Sequence, residues 1–243
     1  NQTLSEPNPL THTINDFDLF CFGDTNGIID GTISGGTPPY VVLNQQTSQS
    51  ITVLNDGDPF SFSGLSAGRY DFTITDANNN SNVTGCSVIT SARVAEPAQV
   101  QIVNPSVSNI SCFGANDGSV NIGFVGGTPP YSFNWTTTNG TIPAGQATQQ
   151  NLSGLSAGTY HVELTDSNGC QIQTDFTILE PDLLEISLIN QTNISCNNGN
   201  DGLISVSVQG GTPPYIFTVN NTPATPTPSG SNQFDFSGLN AGN

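Results

Sequence analysis

The side chains with the greatest capacity for chemistry are five cysteines, which recur at regular positions. Cys21, Cys112 and Cys196 each lie fourteen residues before a Gly-Gly-Thr-Pro-Pro-Tyr hexapeptide, whereas Cys86 and Cys170 lie well after one. One cysteine near the start and one near the end of a unit is typical of structural disulfides in extracellular proteins. The sequence therefore predicts the intradomain pairs Cys21–Cys86 and Cys112–Cys170, with Cys196 left over.

Metal binding is the alternative chemistry for these units. No unit carries a second cysteine or a histidine at ligand spacing near its first cysteine, so a transition-metal site is disfavoured and we expect no cofactor. Weak calcium binding between units is a further hypothesis, because Glu96 or Glu180 would there meet loops that carry Asp117 or Asp201.

Two pentapeptides match the Gly-x-Ser-x-Gly pattern of a catalytic serine turn, at 64–68 and 154–158. That turn requires a strand before it and a helix after it, with an acid and a histidine later in the chain. Here a strand pattern follows, and the third copy has Asn240 in place of the serine. We interpret the pentapeptide as a turn between strands and predict that the protein is not an enzyme.

Two other features have a functional and a structural interpretation. Asp76, Asn78 and Asn80 begin like an EF-hand loop, but the glycine at the sixth place and the glutamate at the twelfth are missing. Trp135 would suit a sugar-stacking platform if exposed, although a single aromatic side chain in a strand is more often part of a core.

The charge balance excludes several partners. The 243 residues include 19 carboxylates against two arginines and no lysine, a net charge of -17. Such a chain cannot neutralise a phosphate backbone or an anionic lipid surface, so we predict no nucleic-acid partner. Its apolar runs are only a few residues long, so we predict no membrane insertion. No signal peptide is present, and we expect the sequence to be an internal part of a longer chain.

Internal repetition is the strongest organising signal. The hexapeptide occurs at 35–40, 126–131 and 210–215, and other short motifs follow it in a constant order. The units close with Glu-Pro, and the stiff proline predicts junctions with little hinge freedom. We predict a tail of a preceding repeat at 1–9, a first repeat at 10–97, a second repeat at 98–181 and a truncated third repeat at 182–243.

The hydrophobic pattern predicts that every repeat is all-β. Apolar residues alternate with polar ones, as in Tyr70-Asp-Phe-Thr-Ile74 and Tyr160-His-Val-Glu-Leu164, and no helical periodicity appears. About seven short strands between Gly, Pro, Asn and Asp turns are typical of an immunoglobulin-like β-sandwich. The tyrosines that open these strands resemble a tyrosine corner. We interpret the hexapeptide as a turn anchored by its tyrosine, and the alternative is a ligand-binding loop.

The ordered set Cys-Phe-Gly, Gly-Gly-Thr-Pro-Pro-Tyr, Gly-Leu-Ser-Ala-Gly-x-Tyr, Asp-x-Asn-Gly-Cys and Ile-Leu-Glu-Pro resembles the SprB repeat over nearly the whole chain. That repeat builds very large surface adhesins of gliding Bacteroidetes. The resemblance implies type IX secretion, display at the extracellular cell surface, and the gliding and secretion machinery as partners. It names no catalytic residues.

These observations predict a non-enzymatic segment of a filamentous adhesin, an extended stalk or adhesive element in surface attachment and gliding. Its partners would be neighbouring repeats of the same chain and an external surface or polysaccharide. The alternative is an array of carbohydrate-binding modules, which would need exposed aromatic side chains on the same face of every repeat.

Overall fold

The computed structural model describes residues 7–78, 86–219, 222–230 and 232–242. Regular structure in these residues consists of β-strands, and none of them lies in a helix. Residues 1–6 of the predicted tail, including Glu6, lie outside the described part, as do Asn79 and Asn80 of the EF-hand-like segment.

Strands of the first repeat alternate between buried and solvent-facing positions. They are β1 (Thr11–Phe17), β2 (Gly27–Ser34), β3 (Tyr40–Asn44), β4 (Ser50–Val53), β5 (Pro59–Leu65), β6 (Gly68–Thr75) and β7 (Ser87–Val94). In β6 the side chains of Tyr70, Phe72 and Ile74 are buried, as the alternation predicts. The pattern follows from the pleat, which sends successive side chains to opposite faces of a sheet.

Two antiparallel sheets enclose the core of the first repeat. One has the order β1-β2-β5 and the other the order β4-β3-β6-β7. Ile29 and Phe62 from the first sheet pack with Val42 and Phe72 from the second in one hydrophobic cluster. The core therefore lies between the two layers, as in a sandwich.

The second repeat repeats this plan. Its strands are β8 (Gln101–Ser108), β9 (Gly118–Val125), β10 (Ser132–Thr137), β11 (Leu152–Leu155), β12 (Gly158–Thr165) and β13 (Gln171–Ile178). They form sheets of order β11-β9-β8 and β10-β12-β13. The core between them includes Val120, Leu155, Val162 and Ile178.

The third repeat contains the corresponding early strands. They are β14 (Glu185–Thr192), β15 (Gly202–Gln209), β16 (Phe217–Val219), β17 (Thr222–Ala224), β18 (Thr227–Gly230) and β19 (Gln233–Leu239). The sheets have the orders β14-β15-β19-β18 and β16-β17. In the central strand β15, Val206 and Val208 are buried.

The predicted fold class, all-β with tandem immunoglobulin-like sandwiches, is confirmed by these paired sheets and their cores. One part of that prediction is wrong: the disulfide does not lie within a repeat but joins Cys21 to Cys170. By compactness the chain divides into unit 1, residues 1–101 with 124–131 and 165–172, and unit 2, the remainder. The predicted repeat boundaries stay a prediction.

The hexapeptide forms the same turn in all three repeats. In the first repeat Gly35 and Gly36 have φ of 77° and 64°, the left-handed region that glycine enters without steric cost. A cis peptide bond joins the two prolines in every copy. The tyrosine hydroxyl then donates to the carbonyl five residues earlier, from Tyr40 to Gly35 at 2.6 Å. This geometry supports the structural interpretation of the motif.

The tyrosine corner is also present. Tyr70 donates its hydroxyl to the Ser66 carbonyl at 2.9 Å, and Tyr160 donates to the Ser156 carbonyl at 2.7 Å. Each bond ties the start of a core strand to the turn before it.

Candidate functional site: the Cys21–Cys170 junction

The functional feature that the structure places most clearly is a disulfide between Cys21 and Cys170. Their Cα atoms lie 5.6 Å apart, across a sequence separation of 149 residues. Cys21 lies in the loop between β1 and β2, and Cys170 directly precedes β13. The bond therefore joins the first repeat to the second, and both cysteines belong to unit 1.

The predicted pairs Cys21–Cys86 and Cys112–Cys170 are thus wrong, because the structure leaves Cys86 and Cys112 as exposed thiols. The physical reason is the length of β7. Leu19, next to the Cys21 loop, donates its N–H to Ala95, one residue beyond the end of β7, whereas Cys86 directly precedes its start. Eight extended residues span about 26 Å, whereas disulfide-bonded Cα atoms lie within about 7 Å.

The cysteines fall into two structural classes. We call Cys21, Cys112 and Cys196, which lie in the loop between the first two strands of a repeat, entry cysteines. We call Cys86 and Cys170, which precede the last strand of a repeat, hairpin cysteines. The observed bond joins one member of each class.

Backbone hydrogen bonds hold the loop of the first entry cysteine. Leu19 N–H donates to the Ala95 carbonyl at 2.9 Å, and Gly23 N–H donates to Oε2 of Glu96 at 3.0 Å. The glutamate of the closing Glu-Pro motif thus binds the entry loop of its own repeat.

A buried carboxylate organises the hairpin of Cys170. Asp166 is 5% exposed. Its Oδ1 accepts the N–H groups of Asn168 and Cys170 at 2.9 Å each, and its Oδ2 accepts that of Thr128 at 2.9 Å. One side chain thereby joins the cysteine hairpin to the hexapeptide turn.

A polar contact accompanies the covalent bond. Nδ2 of Asn168 donates to the Phe20 carbonyl at 3.0 Å, directly beside Cys21. A cleft of about 340 Å³ opens next to the disulfide, with Phe22, Pro97 and Ile172 in its wall. The junction therefore combines a covalent bond, a hydrogen bond and apolar side chains.

The carboxylates of the calcium hypothesis serve as hydrogen-bond acceptors within their own repeats. Glu180 accepts from Gly114 N–H at 3.0 Å, as Glu96 does from Gly23 N–H in the first repeat. Asp117 accepts from Ser111 N–H at 3.1 Å, and hydrogen bonds from the Ser111 side chain and backbone lower the pKa of Asp117. Hydrogen bonds from Ser195 likewise lower the pKa of Asp201. The described residues contain no group of three or more His, Cys, Asp or Glu side chains close enough to hold a metal ion.

The two Gly-x-Ser-x-Gly pentapeptides are turns between strands. Each begins at the end of one strand, β5 or β11, and ends at the start of the next, β6 or β12. The Ser156 hydroxyl accepts the N–H of Thr141 at 2.8 Å. The ring of His161 instead bonds Asp175 through Nδ1 at 2.7 Å on exposed strands. Both side chains therefore have structural partners.

Trp135 belongs to the core. It is 2% exposed, packs against Phe176 with ring centroids 6.0 Å apart, and donates Nε1–H to the Gln149 carbonyl at 2.8 Å. The structural interpretation of this residue is confirmed, and its ring presents no face to a sugar.

Asp76 has the role of Asp166 in the first repeat. Its Oδ2 accepts Thr37 N–H at 3.0 Å, and its Oδ1 accepts Asn78 N–H at 3.1 Å. The EF-hand-like interpretation of Asp76 does not anticipate the clamp that each of these two buried aspartates forms, in which one carboxylate binds both its own hairpin and the hexapeptide turn. The signal that points to it is the recurrence of Thr-Asp at the end of β6 and of β12, because a turn alone does not require aspartate.

The class that fold and site define is a tandem array of immunoglobulin-like sandwiches with a covalent bond between repeats. The family model of the SprB repeat matches the chain three times, over residues 18–41, 104–141 and 188–223. These matches confirm, at three places along the chain, the resemblance of its motifs to this family. No curated protein matches the chain. Among the described residues, no helix is long and apolar enough to cross a membrane.

The comparison with solved structures gives matches at low sequence identity. Domains 3–5 of Drosophila OTK are 12% identical, with 89% of this chain and 84% of that one covered and a TM-score of 0.31. The N-terminal eight Ig domains of Down Syndrome Cell Adhesion Molecule are 7% identical, with 97% and 42% covered and a TM-score of 0.41. A C-terminal fragment of intimin, solved with the intimin-binding domain of its translocated receptor, is 12% identical, with 73% and 66% covered and a TM-score of 0.31.

Proposed function

We propose that the chain is a non-enzymatic repeat segment of a secreted, filamentous cell-surface adhesin, in which tandem sandwiches form an extended stalk. The observation that carries the proposal is the repetition itself, three SprB-repeat matches with the same turns in each copy. Repetition of one scaffold, without a group of three or more close His, Cys, Asp or Glu side chains among the described residues, favours a mechanical role over catalysis. Surface attachment and gliding motility are the processes that this proposal assigns to it.

The net charge of the chain and its disulfide agree with an extracellular location. A disulfide forms and persists in oxidising compartments. The net charge of -17, spread over a mostly neutral polar surface, opposes association between neighbouring filaments. Screening over about 8 Å in physiological salt limits that repulsion to short distances.

Small-angle X-ray scattering of the 243-residue chain tests the stalk. A compact body of this length has a radius of gyration of about 18 Å, whereas a row of nearly three sandwiches, each roughly 35–40 Å long, gives about 30 Å. A value near the compact limit would refute the stalk. The measurement is repeated with calcium and with chelator, and an unchanged radius would remove calcium from the junctions.

Attachment is tested separately with beads coated with the chain. Beads that bind glass or polysaccharide more than beads coated with an acidic protein of equal charge would assign adhesion to these repeats. Equal binding would restrict them to a spacer role.

A further inference from the structure

The second entry loop is built like the first. Ile110 N–H donates to the Leu179 carbonyl at 3.0 Å, and Gly114 N–H donates to Oε2 of Glu180 at 3.0 Å. These two bonds reproduce, residue for residue, the pair that holds the loop of Cys21. The second repeat therefore holds the loop of Cys112 in the same way as the first repeat holds the loop of Cys21. The thiol of Cys112, however, is exposed and free.

The first hairpin is likewise built like the second. Asp76 N–H donates to the Cys86 carbonyl at 3.2 Å, and Ala77 N–H donates to the Thr37 carbonyl at 2.9 Å. The corresponding bonds in the second repeat, made by the backbone of Asp166 and of the residue after it, measure 3.0 and 2.9 Å. Cys86 therefore presents an exposed thiol from the same scaffold that presents Cys170 to its partner.

The third entry loop also keeps the local pattern. Ser195 N–H donates to Oδ1 of Asp201 at 3.0 Å, and Gly199 N–H donates to the Cys196 carbonyl at 2.9 Å. The matching bonds in the second repeat are 3.1 and 3.0 Å. All three entry cysteines therefore lie in equivalent loops. One of them, Cys21, is bonded to a hairpin cysteine of the next repeat.

We propose that disulfides in this array follow a single register, in which each entry cysteine bonds to the hairpin cysteine of the next repeat. Cys112 is then the entry half of a bond to a following SprB repeat. Cys86 is the hairpin half of a bond to a preceding one. Bonds within a repeat are excluded by the length of the last strand, which separates the two classes by about 26 Å.

The reaction is a two-electron oxidation. The entry and hairpin thiols each lose a proton, one S–S bond forms, and the electron pair passes to a disulfide oxidant, such as oxidised glutathione, whose own S–S bond is reduced to two thiols. This way of joining repeats does not depend on whether the protein is an adhesin.

The direct test extends the full chain by one hairpin. A copy of residues 160–181 is appended after Asn243, because Asn243 corresponds in sequence to Thr159 of the second repeat. Ser167→Ala in the copy gives the peptide that contains its cysteine a distinct mass. Alanine is the residue that the first repeat has at this position, Ala77. After refolding in a glutathione redox buffer, non-reducing peptide mapping should show Cys112 bonded to the appended cysteine. A bond from that cysteine to Cys196, or a free appended cysteine beside an intact Cys21–Cys170 bond, would overturn the register.

A second variant does not depend on the folding of the extension. In Cys170→Ser, the register predicts four free thiols, because Cys21 has no hairpin partner from the next repeat and cannot reach Cys86. A Cys21–Cys86 bond in this variant would refute the proposal. The matched control Cys112→Ser should keep the Cys21–Cys170 bond and two free thiols.

Discussion

Replacement of Asp166 by asparagine tests whether the buried carboxylate holds the junction together. The carboxylate accepts three backbone N–H groups. Asparagine keeps one oxygen and turns the other acceptor into an NH2 group, so at least the N–H of Thr128 loses its partner. An unpaired buried donor costs about 1–3 kcal/mol, and the remaining bonds lose their charge assistance. We expect Asp166→Asn to lower the free energy of unfolding by about 2 kcal/mol.

Trp135 supplies the assay. It is the only tryptophan of the chain and lies in the core of the second repeat, so its fluorescence follows the unfolding of that repeat. A loss of about 2 kcal/mol lowers the urea midpoint by about 1 M when the slope is about 2 kcal/mol/M. The measurement is made with the disulfide intact, so that only the hydrogen bonds differ.

Asp175→Asn is the matched control. It makes the same chemical change in the same repeat at an exposed hydrogen bond with His161, where the expected effect is below about 0.5 kcal/mol. An Asp166→Asn midpoint within about 0.2 M of the unmodified chain would contradict the clamp. Equal shifts in both variants would assign the effect to net charge instead.

Four further outcomes are expected. Cys170→Ser removes a covalent constraint on a 149-residue loop, and the chain-entropy model gives a loss of about 5 kcal/mol in the free energy of unfolding. Calorimetry with and without reductant should show this loss, and an unchanged unfolding profile would contradict it. Hydrogen bonds from Ser111 lower the pKa of Asp117, so their stabilisation is present above the ordinary carboxyl range and is lost as pH falls through the folded pKa. Asp117→Asn should therefore make the urea midpoint depend less on pH between about pH 2 and pH 6, and an unchanged pH dependence on the acid side would contradict this. Trp135→Ala should cost about 3–5 kcal/mol by circular dichroism, and a loss below about 1 kcal/mol would contradict its place in the core. Gly127→Ala puts a Cβ at φ +69° about 2.5 Å from Cγ2 of Val100, whereas the Cβ of Gly145→Ala at φ +80° meets nothing within 4 Å. In urea unfolding, Gly127→Ala should lower the free energy of unfolding by about 1 kcal/mol or more beyond Gly145→Ala, and equal losses would contradict the steric argument.

Short-range features of this protein could be predicted from its sequence because they depend on neighbouring residues. The alternation of Tyr70, Phe72 and Ile74 predicts the buried face of β6, and the structure buries all three. Paired glycines predict the left-handed turn before β3, where Gly35 and Gly36 have positive φ. Trp135, alone in a strand without an exposed counterpart, is predicted and found to be a core residue.

The Asp76 and Asp166 clamps could not be derived from local pattern. Each aspartate accepts an N–H from a turn about 39 residues earlier in the chain, from Thr37 and Thr128. A sequence pattern does not show which distant N–H group will donate to a buried carboxylate, because that depends on how the two turns pack at one end of the sandwich.

Composition, repetition and alternation by themselves determined that the protein is an all-β array of repeats with a regular set of cysteines. Tertiary structure alone decided how those cysteines pair. The sequence places Cys21 and Cys86 in one repeat, 65 positions apart, and this separation says nothing about distance in space. Because an extended strand of eight residues lies between the two ends of that repeat, Cys21 instead bonds to a cysteine 149 residues away.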